Sequence, residues 1–586
     1  MTFKRFTLSL TLLAMVVLCL PLASAQVDTD DLTTLANEFP TEEAVLFASI
    51  RTDDAFIQQL DGLFAPFYPY ADDLPPDFTL QMGLDLALEE AEIDGTFDEV
   101  IRPWLGDTVG LAAFVNPAAF EGDTTFLSVE TVFDDLLPAI AVQITDKDEA
   151  IAFLEMLMEA EGETADITER GDYTVYVVDD VVIAFSDDTA LLYPADEFET
   201  DLLSGDFATI ADDAIFDTTL ASMPQDAYNA LIYANTPVIL SVFERVAAEP
   251  EAFGAEEAQE TIAFFEQFGF GGVAGGAVIL EGDTFTIDTV IVDAADYLSA
   301  ADLGTIDPAF AGLIPATTPF VIHGTNLAAS YQAALDVVEQ LGDDTDVEEL
   351  NEGLAEVDQV LQAQVGLNLE DIVGWMSNDY ALTLSLSDTA LNSSSIFGLI
   401  GANPAELGVL IDASADPAAA VAVVDAVEEL LDGPLLGAAL QQTEEPIVDV
   451  SLEREGDVLT ATVSDETGQV PFPVELRVGV EDDVFYIGTP GLANAVTAGD
   501  GGLASTDALQ DALGVFLPEP YSAYFISVDN LTPLVGIAES FADEEDMDDI
   551  ETAAELLSLF RHLTISQAVD AENNALVRAT ITLSDE

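Results

Sequence analysis

Basic residues and cysteine are almost absent from this chain of 586 residues. Lysine and arginine number 11 against 113 aspartates and glutamates, so the formal net charge is −102. A field of this sign repels phosphate backbones and anionic lipid head groups, which excludes nucleic-acid binding and electrostatic docking on membranes. The one cysteine, Cys19, lies in an N-terminal apolar segment, and the chain beyond that segment therefore has no disulfide and no thiolate.

Histidine is nearly absent too, with only His323 and His562. Neither has the spacing of a zinc site, and no Gly-x-Ser-x-Gly elbow exists to support a serine hydrolase. His323 lies in an apolar, strand-like segment and is interpreted as a structural histidine. His562 follows Arg561, and we predict that both lie at the end of an acidic helix, where cations complement the exposed carbonyl groups.

No cofactor signature is present either. The glycines between residues 269 and 276 follow a helical pattern and precede a strand, the reverse of the order in a dinucleotide loop. Lys147 is the only lysine after the N-terminal segment, so a phosphate-binding P-loop is excluded. We therefore predict no catalytic, cofactor-binding or metal-binding residues.

The acidic runs at 343–348 and 543–546 lack the glycine and ligand spacing of a calcium loop. They are interpreted as hydrated loops or helix starts that attract divalent cations weakly. Like charges repel until salt screens them, and we therefore hypothesise that the protein works in saline or mineral-rich surroundings.

Hydrophobic residues nevertheless make up 50% of the chain, enough to bury a core. Lys4 and Arg5 precede an apolar run that ends near Ala23-Ser24-Ala25, which is typical of a cleaved signal peptide over residues 1–25. An extracytoplasmic protein is therefore expected, secreted, periplasmic or on the cell surface. Lipidation of Cys19 and an uncleaved anchor are the alternatives, and no later segment predicts a membrane span.

Segments of the first half recur 270 to 294 residues further along the chain. Trp104-Leu105-Gly106-Asp107 corresponds to Trp375-Met376-Ser377-Asn378, and Gly171-Asp172 to Gly456-Asp457. Both tryptophans of the chain fall in the first pair, and we interpret them as core anchors rather than walls of a ligand pocket. We predict two homologous lobes at 36–298 and 309–586, each long enough to divide again near residue 130 or 405.

The sequence contains both the period of an amphipathic helix and the two-residue period of a β-strand. Alternating runs separated by Asp187-Asp188-Thr189 and by Glu481-Asp482-Asp483 predict β-hairpins. Thr145 is placed to cap a helix that carries an apolar stripe of Ile151, Leu154 and Leu157. Asp416 with a following proline begins another helix. Hairpins outnumber strand-helix alternations, so each lobe is predicted to be α+β, with a mainly antiparallel sheet and helices on one face.

One series of elements occurs twice after the predicted signal peptide. It consists of a proline-led strand, an amphipathic helix, and motifs that in the first copy are Gly83-Leu84-Asp85-Leu86 and Trp104-Leu105-Gly106-Asp107. This order resembles the bacterial family catalogued as domain of unknown function 3352. The second copy departs from this pattern with Ser377 and Asn378. The resemblance implies an exported protein, and it supplies no catalytic residues, cofactor or partner.

These observations predict a non-catalytic binding or surface-associated module whose ligand is unknown. Two alternatives stay open. A hydrolase would need two carboxylates about 5 to 10 Å apart in a deep pocket. A carrier of lipid or another apolar ligand would need an apolar void between sheet and helices.

Overall fold

The structure is a computed structural model in which the chain forms two compact units, divided between residues 295 and 296; residues 574–576 group with the first unit. It describes residues 27–71, 74–75, 78–91, 93–120, 128–195, 202–248, 254–255, 257–259, 261–262, 274–292, 303–340, 345–386, 405–432, 449–464, 474–498, 502–533, 535–536 and 547–584. The predicted leader and Cys19 lie outside these residues, so the signal peptide stays a prediction.

The first unit is built on one antiparallel sheet. Its strands are β1 (Val27–Asp28), β2 (Ala44–Arg51), β3 (Leu105–Phe114), β4 (Leu137–Ile144), β5 (Asp166–Arg170), β6 (Tyr173–Val178), β7 (Val181–Phe185), β8 (Thr189–Pro194), β9 (Ala227–Tyr228), β10 (Ala230–Ala234), β11 (Ala274–Glu281) and β12 (Thr284–Ile291). The order across the sheet is β5, β6, β7, β8, β4, β3, β2, β10, β11, β12. Strands β1 and β9 form a separate antiparallel pair.

Most helices of the first unit begin at a capping side chain, which is a carboxylate, a hydroxyl or, at Asn235, an amide. The helices are α1 (Thr29–Thr33), α2 (Asp54–Phe64), α3 (Leu80–Glu90), α4 (Phe97–Val100), α5 (Val129–Asp134), α6 (Lys147–Glu161), α7 (Ala214–Ala221) and α8 (Thr236–Ala247). The cap of α6 is Asp146, whose carboxylate accepts hydrogen bonds from the amides of Asp148 and Glu149 at 3.1 Å. The sequence-based prediction that Thr145 is the cap was wrong by one residue. Gly162, with φ +75°, ends the helix in the left-handed conformation.

The second unit has the same kind of sheet. Its strands are β13 (Phe320–Thr325), β14 (Asp379–Leu386), β15 (Ala405–Asp412), β16 (Asp449–Glu455), β17 (Val458–Ser464), β18 (Val474–Glu481), β19 (Val484–Gly488), β20 (Ser522–Ser527), β21 (Phe560–Val569) and β22 (Ala575–Leu583). The order from β16 is β16, β17, β18, β19, β15, β14, β13, β20, β21, with every neighbour antiparallel.

Seven helices are described in the second unit. They are α9 (Leu327–Gln340), α10 (Thr345–Gln364), α11 (Leu369–Val373), α12 (Pro417–Asp432), α13 (Pro490–Ala498), α14 (Asp507–Val515) and α15 (Met547–Ser558). The carboxylate of Asp416 accepts the amide of Ala419 at 3.0 Å, which confirms the predicted start of α12. None of the helices that the structure describes is both long and apolar enough to cross a membrane.

The two predicted hairpins are confirmed, since Asp187 lies between β7 and β8 and Asp482 lies between β18 and β19. The matching glycines of the repeat also occupy hairpin turns. Gly171 joins β5 to β6 and Gly456 joins β16 to β17, with φ of +62° and +64°. The mixture of helices with antiparallel sheet confirms the α+β class. From β5 and from β16 the two sheets follow the same strand order, once the pair β1 and β9 is set aside.

Helices cover both faces of the first sheet, and the expectation of helices on one face was wrong there. On β4, Ala139 and Ala141 lie in a core with Phe216 of α7. The alternate residues Ile140 and Val142 face α6. Because side chains alternate along a strand, a strand that is apolar at successive positions can be buried on both sides.

Consecutive residues of β19 divide the core of the second unit in the same way. Phe485 packs with Val424 of α12, and Tyr486 packs with Leu492 of α13, in two separate apolar clusters. The sheet of the second unit therefore also carries helices on both faces.

Candidate functional site

The first unit contains a partly enclosed cavity of ≈ 90 Å³ between the sheet and α6. Its fourteen lining residues are all apolar. They are Ile101, Trp104, Leu105, Val109, Ile140, Val142, Ala150, Phe153, Leu154, Leu157, Ile183, Phe185, Ala190 and Leu192. The cavity lies outside the main core cluster of the unit, which occupies the opposite face of the sheet.

One wall comes from α6. Ala150, Phe153, Leu154 and Leu157 recur at intervals of three and four residues, so they form one stripe along the helix. The sequence predicted an apolar stripe here, although it placed Ile151 on it instead of Ala150 and Phe153. Tyr176 of β6 donates a hydrogen bond to Glu155 on the same helix at 3.2 Å, and burial together with this carboxylate raises the pKa of the tyrosine.

The opposite wall is the sheet. Ile183 lies directly across from Leu192, and Phe185 lies across from Ala190, in the hairpin formed by β7 and β8. On the next strand, β4, Val142 pairs with Ala190. The small side chain of Ala190 stands among larger neighbours, and this leaves space beside it.

Trp104 closes the wall where the chain enters β3. Its indole Nε1 donates to the carbonyl oxygen of Val100 at 2.8 Å, and its ring lies 5.4 Å from the ring of Phe153, centroid to centroid. The side chain is 7% exposed. Trp104 is thus buried as predicted. It also lines a pocket, although its sequence position favoured a core anchor over a pocket wall.

Two cationic side chains that neighbour the cavity-lining segments have partners elsewhere. Arg102 pairs with Asp54 at 2.6 Å and donates to the carbonyl oxygen of Thr52 at 2.7 Å. Lys147, at the start of α6, lies 3.4 Å from the carbonyl oxygen of Asp172. With only apolar groups in its lining, the cavity can bind by desolvation and dispersion, and it offers no side chain for proton transfer or nucleophilic attack.

Trp375 has a different environment in the second unit. Its ring meets Phe485 edge to face at 5.5 Å, inside a cluster that includes Val423 and Val424 of α12. Its buried Nε1 has no hydrogen-bond partner in the part of the chain that the structure describes. Phe485 thus occupies space against the tryptophan in the second unit, and the prediction of a core anchor fits this residue best.

The two histidines are held by different partners. His323 Nε2 lies 3.1 Å from Asp379 Oδ1, and the imidazole stacks on Phe310, which agrees with a structural role. His562 is not at a helix end, because α15 stops at Ser558 and His562 is the third residue of β21. It is buried, with Nε2 3.0 Å from Thr582 Oγ1. The alternation of apolar and polar residues after Ser558 favours a strand and explains the error.

The acidic runs do not form a site within the described residues. Positions 345–348 begin α10, whereas 343–344 and 543–546 lie outside what the structure describes. No cluster of three or more histidine, cysteine or acidic side chains that could hold a metal ion occurs among those residues. Of the glycines between 269 and 276, Gly275 and Gly276 belong to β11, and the rest lie outside the description.

The cavity has no local signature in the sequence. Helix α6, the hairpin and Trp104 could each be recognised separately, because each has a local pattern. A void depends on how side chains from four strands and one helix fit together, and no spacing in the sequence reports this.

The fold and the cavity together describe an α+β protein of two units with antiparallel sheets, in which the first unit contains a partly enclosed apolar pocket. The chain belongs to the family described as Protein of unknown function (DUF3352), which matches residues 6–583. No curated protein matches the chain. A solved structure titled "Structure of crystal form I of TP0453" aligns over 47% of this chain and 82% of that chain, with 8% identity and a TM-score of 0.22, and carries no argument.

Proposed function

We propose that this protein is an exported, non-catalytic binding protein whose first unit takes up a small apolar molecule or the apolar end of a larger one. The observation that carries the proposal is the cavity between α6 and the sheet, lined entirely by apolar side chains. Of the functions considered from the sequence, the apolar-ligand carrier is the one that requires such a void.

A water molecule would be poorly stabilised in this cavity, because a buried water needs two to four polar hydrogen-bond partners. An apolar ligand that replaces it loses contact with solvent and gains dispersion contacts with the walls, and both effects favour binding. An engineered apolar cavity of about 150 Å³ binds benzene. The cavity of ≈ 90 Å³ is smaller but partly open, and it suits a small ring or a short alkyl segment.

Export and duplication belong to the same proposal. Lys4, Arg5 and the apolar run up to Ala25 support secretion through a cleaved leader. The common strand order from β5 and from β16, together with the matching tryptophans, supports descent of the two units from one ancestral unit. The two units now differ beside the matching tryptophans. The first unit has a cavity beside Trp104, whereas Phe485 packs against Trp375 in the second unit.

The test uses bromobenzene as the probe, because its heavy atom quenches indole fluorescence on contact. In a Trp375→Phe background Trp104 is the only tryptophan. Saturable quenching is expected in this protein. Filling the cavity by Ala190→Leu, or independently by Ala150→Leu from the helix side, should reduce the apparent affinity by roughly tenfold or more.

Ala152→Leu provides the matched control, since Ala152 lies on the exposed side of the same helix. This variant should bind as the parent does. Quenching that never saturates, or that is equal in the filled and control variants, would refute the proposal. Thermal melting of each variant verifies that the fold is retained.

A further inference from the structure

Strand β14 has an inverted polarity. Its leucines Leu382 and Leu384 are 41% and 39% exposed, while Thr383 and Ser385 between them are buried. A shift of the strand by one residue would bury the leucines and expose the hydroxyl groups. Helix α12 covers this side of the sheet over β17, β18 and β19. At β14 the arrangement is the opposite of what water favours on a sheet surface without such a cover.

Neighbouring strands extend this pattern into a continuous surface, here called the apolar sheet face. It consists of two parallel rows across β15, β14, β13, β20 and β21, in which each residue pairs with the next. The first row is Leu407, Leu384, Phe320, Ile526 and Leu563; the second is Val409, Leu382, Ile322, Tyr524 and Ile565. Leu407 is 61% exposed and Ile565 is 40% exposed, as Leu382 and Leu384 are at the centre. The other six residues are half-buried, and Val409 borders the apolar cluster under α12.

Polar contacts on the buried side hold these strands in register. His323 is paired with Asp379, and the hydroxyl of Ser566 accepts the amide of Leu517 at 2.9 Å. Thr383 donates to the carbonyl oxygen of Gly408 at 3.4 Å. A register shift would break such bonds and bury apolar residues in their place, so the apolar face is built into the sheet.

We propose that the apolar sheet face of the second unit binds the hydrocarbon chain of an amphiphile with an uncharged or cationic head group. Five strands at a spacing of about 4.8 Å make the rows about 19 Å long, and this matches an extended chain of medium length. The net charge of −102 opposes an anionic head group or an anionic membrane surface as the occupant.

Area argues against a second copy of the protein. Two rows of this length present roughly 300 Å². A stable protein interface buries about 800 Å² on each partner. A single alkyl chain laid along the rows needs no more than the surface that is present. The face belongs to the second unit and is independent of the cavity proposed above, so each site can fail without the other.

Photochemical labelling of the full-length chain tests this proposal. The probe is n-dodecyl-β-maltoside with a diazirine at the end of its alkyl chain, used below its micelle-forming concentration. After irradiation, cleavage at glutamates and mass spectrometry locate the labels. We expect labels on peptides that contain β13, β14 and β21. The double variant Leu382→Thr/Leu384→Thr should lower this labelling roughly tenfold.

Ile167→Thr is the matched control, because Ile167 is a 55% exposed strand residue of the first unit. This control and the cavity variant Ala190→Leu should both keep the second-unit labels. Labels that are absent from these strands, or unchanged in the double variant, would overturn the proposal without touching the cavity. A dimer in sedimentation that the double variant dissociates would assign the face to a second copy and also overturn it.

Discussion

The ring of Trp104 lies against the ring of Phe153, with centroids 5.4 Å apart and 34° between their planes. This contact joins the turn before β3 to helix α6 beside the cavity. Both side chains are buried, yet both border empty space. The pair therefore stabilises the unit and shapes the pocket, and substitutions here affect stability and binding together.

Phe153→Ala should lower the free energy of unfolding by about 3 to 5 kcal/mol, because the ring loses its burial and the cavity grows. Urea denaturation followed by circular dichroism measures this loss. Bromobenzene should recover more stability in the variant than in the parent. Ile167→Ala, at an exposed strand position, should change stability by less than about 0.5 kcal/mol. A loss below about 1 kcal/mol in Phe153→Ala would contradict the packing described here.

The two tryptophans should respond differently to phenylalanine. Trp104→Phe removes the hydrogen bond to the carbonyl oxygen of Val100, whereas Trp375→Phe removes a buried donor with no partner among the described residues. Trp104→Phe should therefore be more destabilising, by about 1 kcal/mol. Urea midpoints of the two single variants give the comparison, and equal losses would count against it.

Local patterns predicted much of the fold. The hairpin turns at Asp187 and Asp482 and the start of α12 after Asp416 all follow from residues close in sequence. The prediction that His562 lies at a helix end was wrong. A helix does end at Ser558, four residues earlier, and the point at which a helical pattern gives way to a strand pattern is hard to locate in a sequence.

Neither apolar site could be predicted in this way. Leu382 and Leu384 alternate with Thr383 and Ser385, and a sequence pattern normally places the leucines inside. Tertiary partners decide which face is buried. Thr383 bonds to Gly408 and Asp379 to His323, which lie 25 and 56 residues away along the chain. Ala190 likewise reveals nothing of a cavity until Trp104 and α6 are placed around it.

Salt should stabilise this protein. With a net charge of −102, repulsion between carboxylates opposes the compact state, and raising the ionic strength from 0.01 M to 1 M shortens the screening length from about 30 Å to about 3 Å. Calorimetry should show a melting temperature that rises with sodium chloride and rises equally with choline chloride. A midpoint that stays constant or falls would contradict this, and a rise with sodium alone would indicate cation binding.

Glu38 should make stability depend on pH. Burial raises its pKa above 4.5, the charge of Asp188 adds to the rise, and the hydrogen bond from the Tyr173 hydroxyl at 3.3 Å opposes it. Because the pKa is higher in the folded state, the stability that Glu38 contributes is complete below pH 4.5 and is lost as the pH rises through the folded-state pKa.

Glu38→Gln keeps an acceptor for Tyr173 and removes the charge. The variant should therefore be more stable than the parent at pH 7.5 and equal to it at pH 4, as measured by urea midpoints at both values. Glu155→Gln serves as the control, since Glu155 is exposed and accepts a hydrogen bond from Tyr176 in the same manner. A gain of equal size at both pH values would show that the amide packs better, and that the buried charge is not the cause.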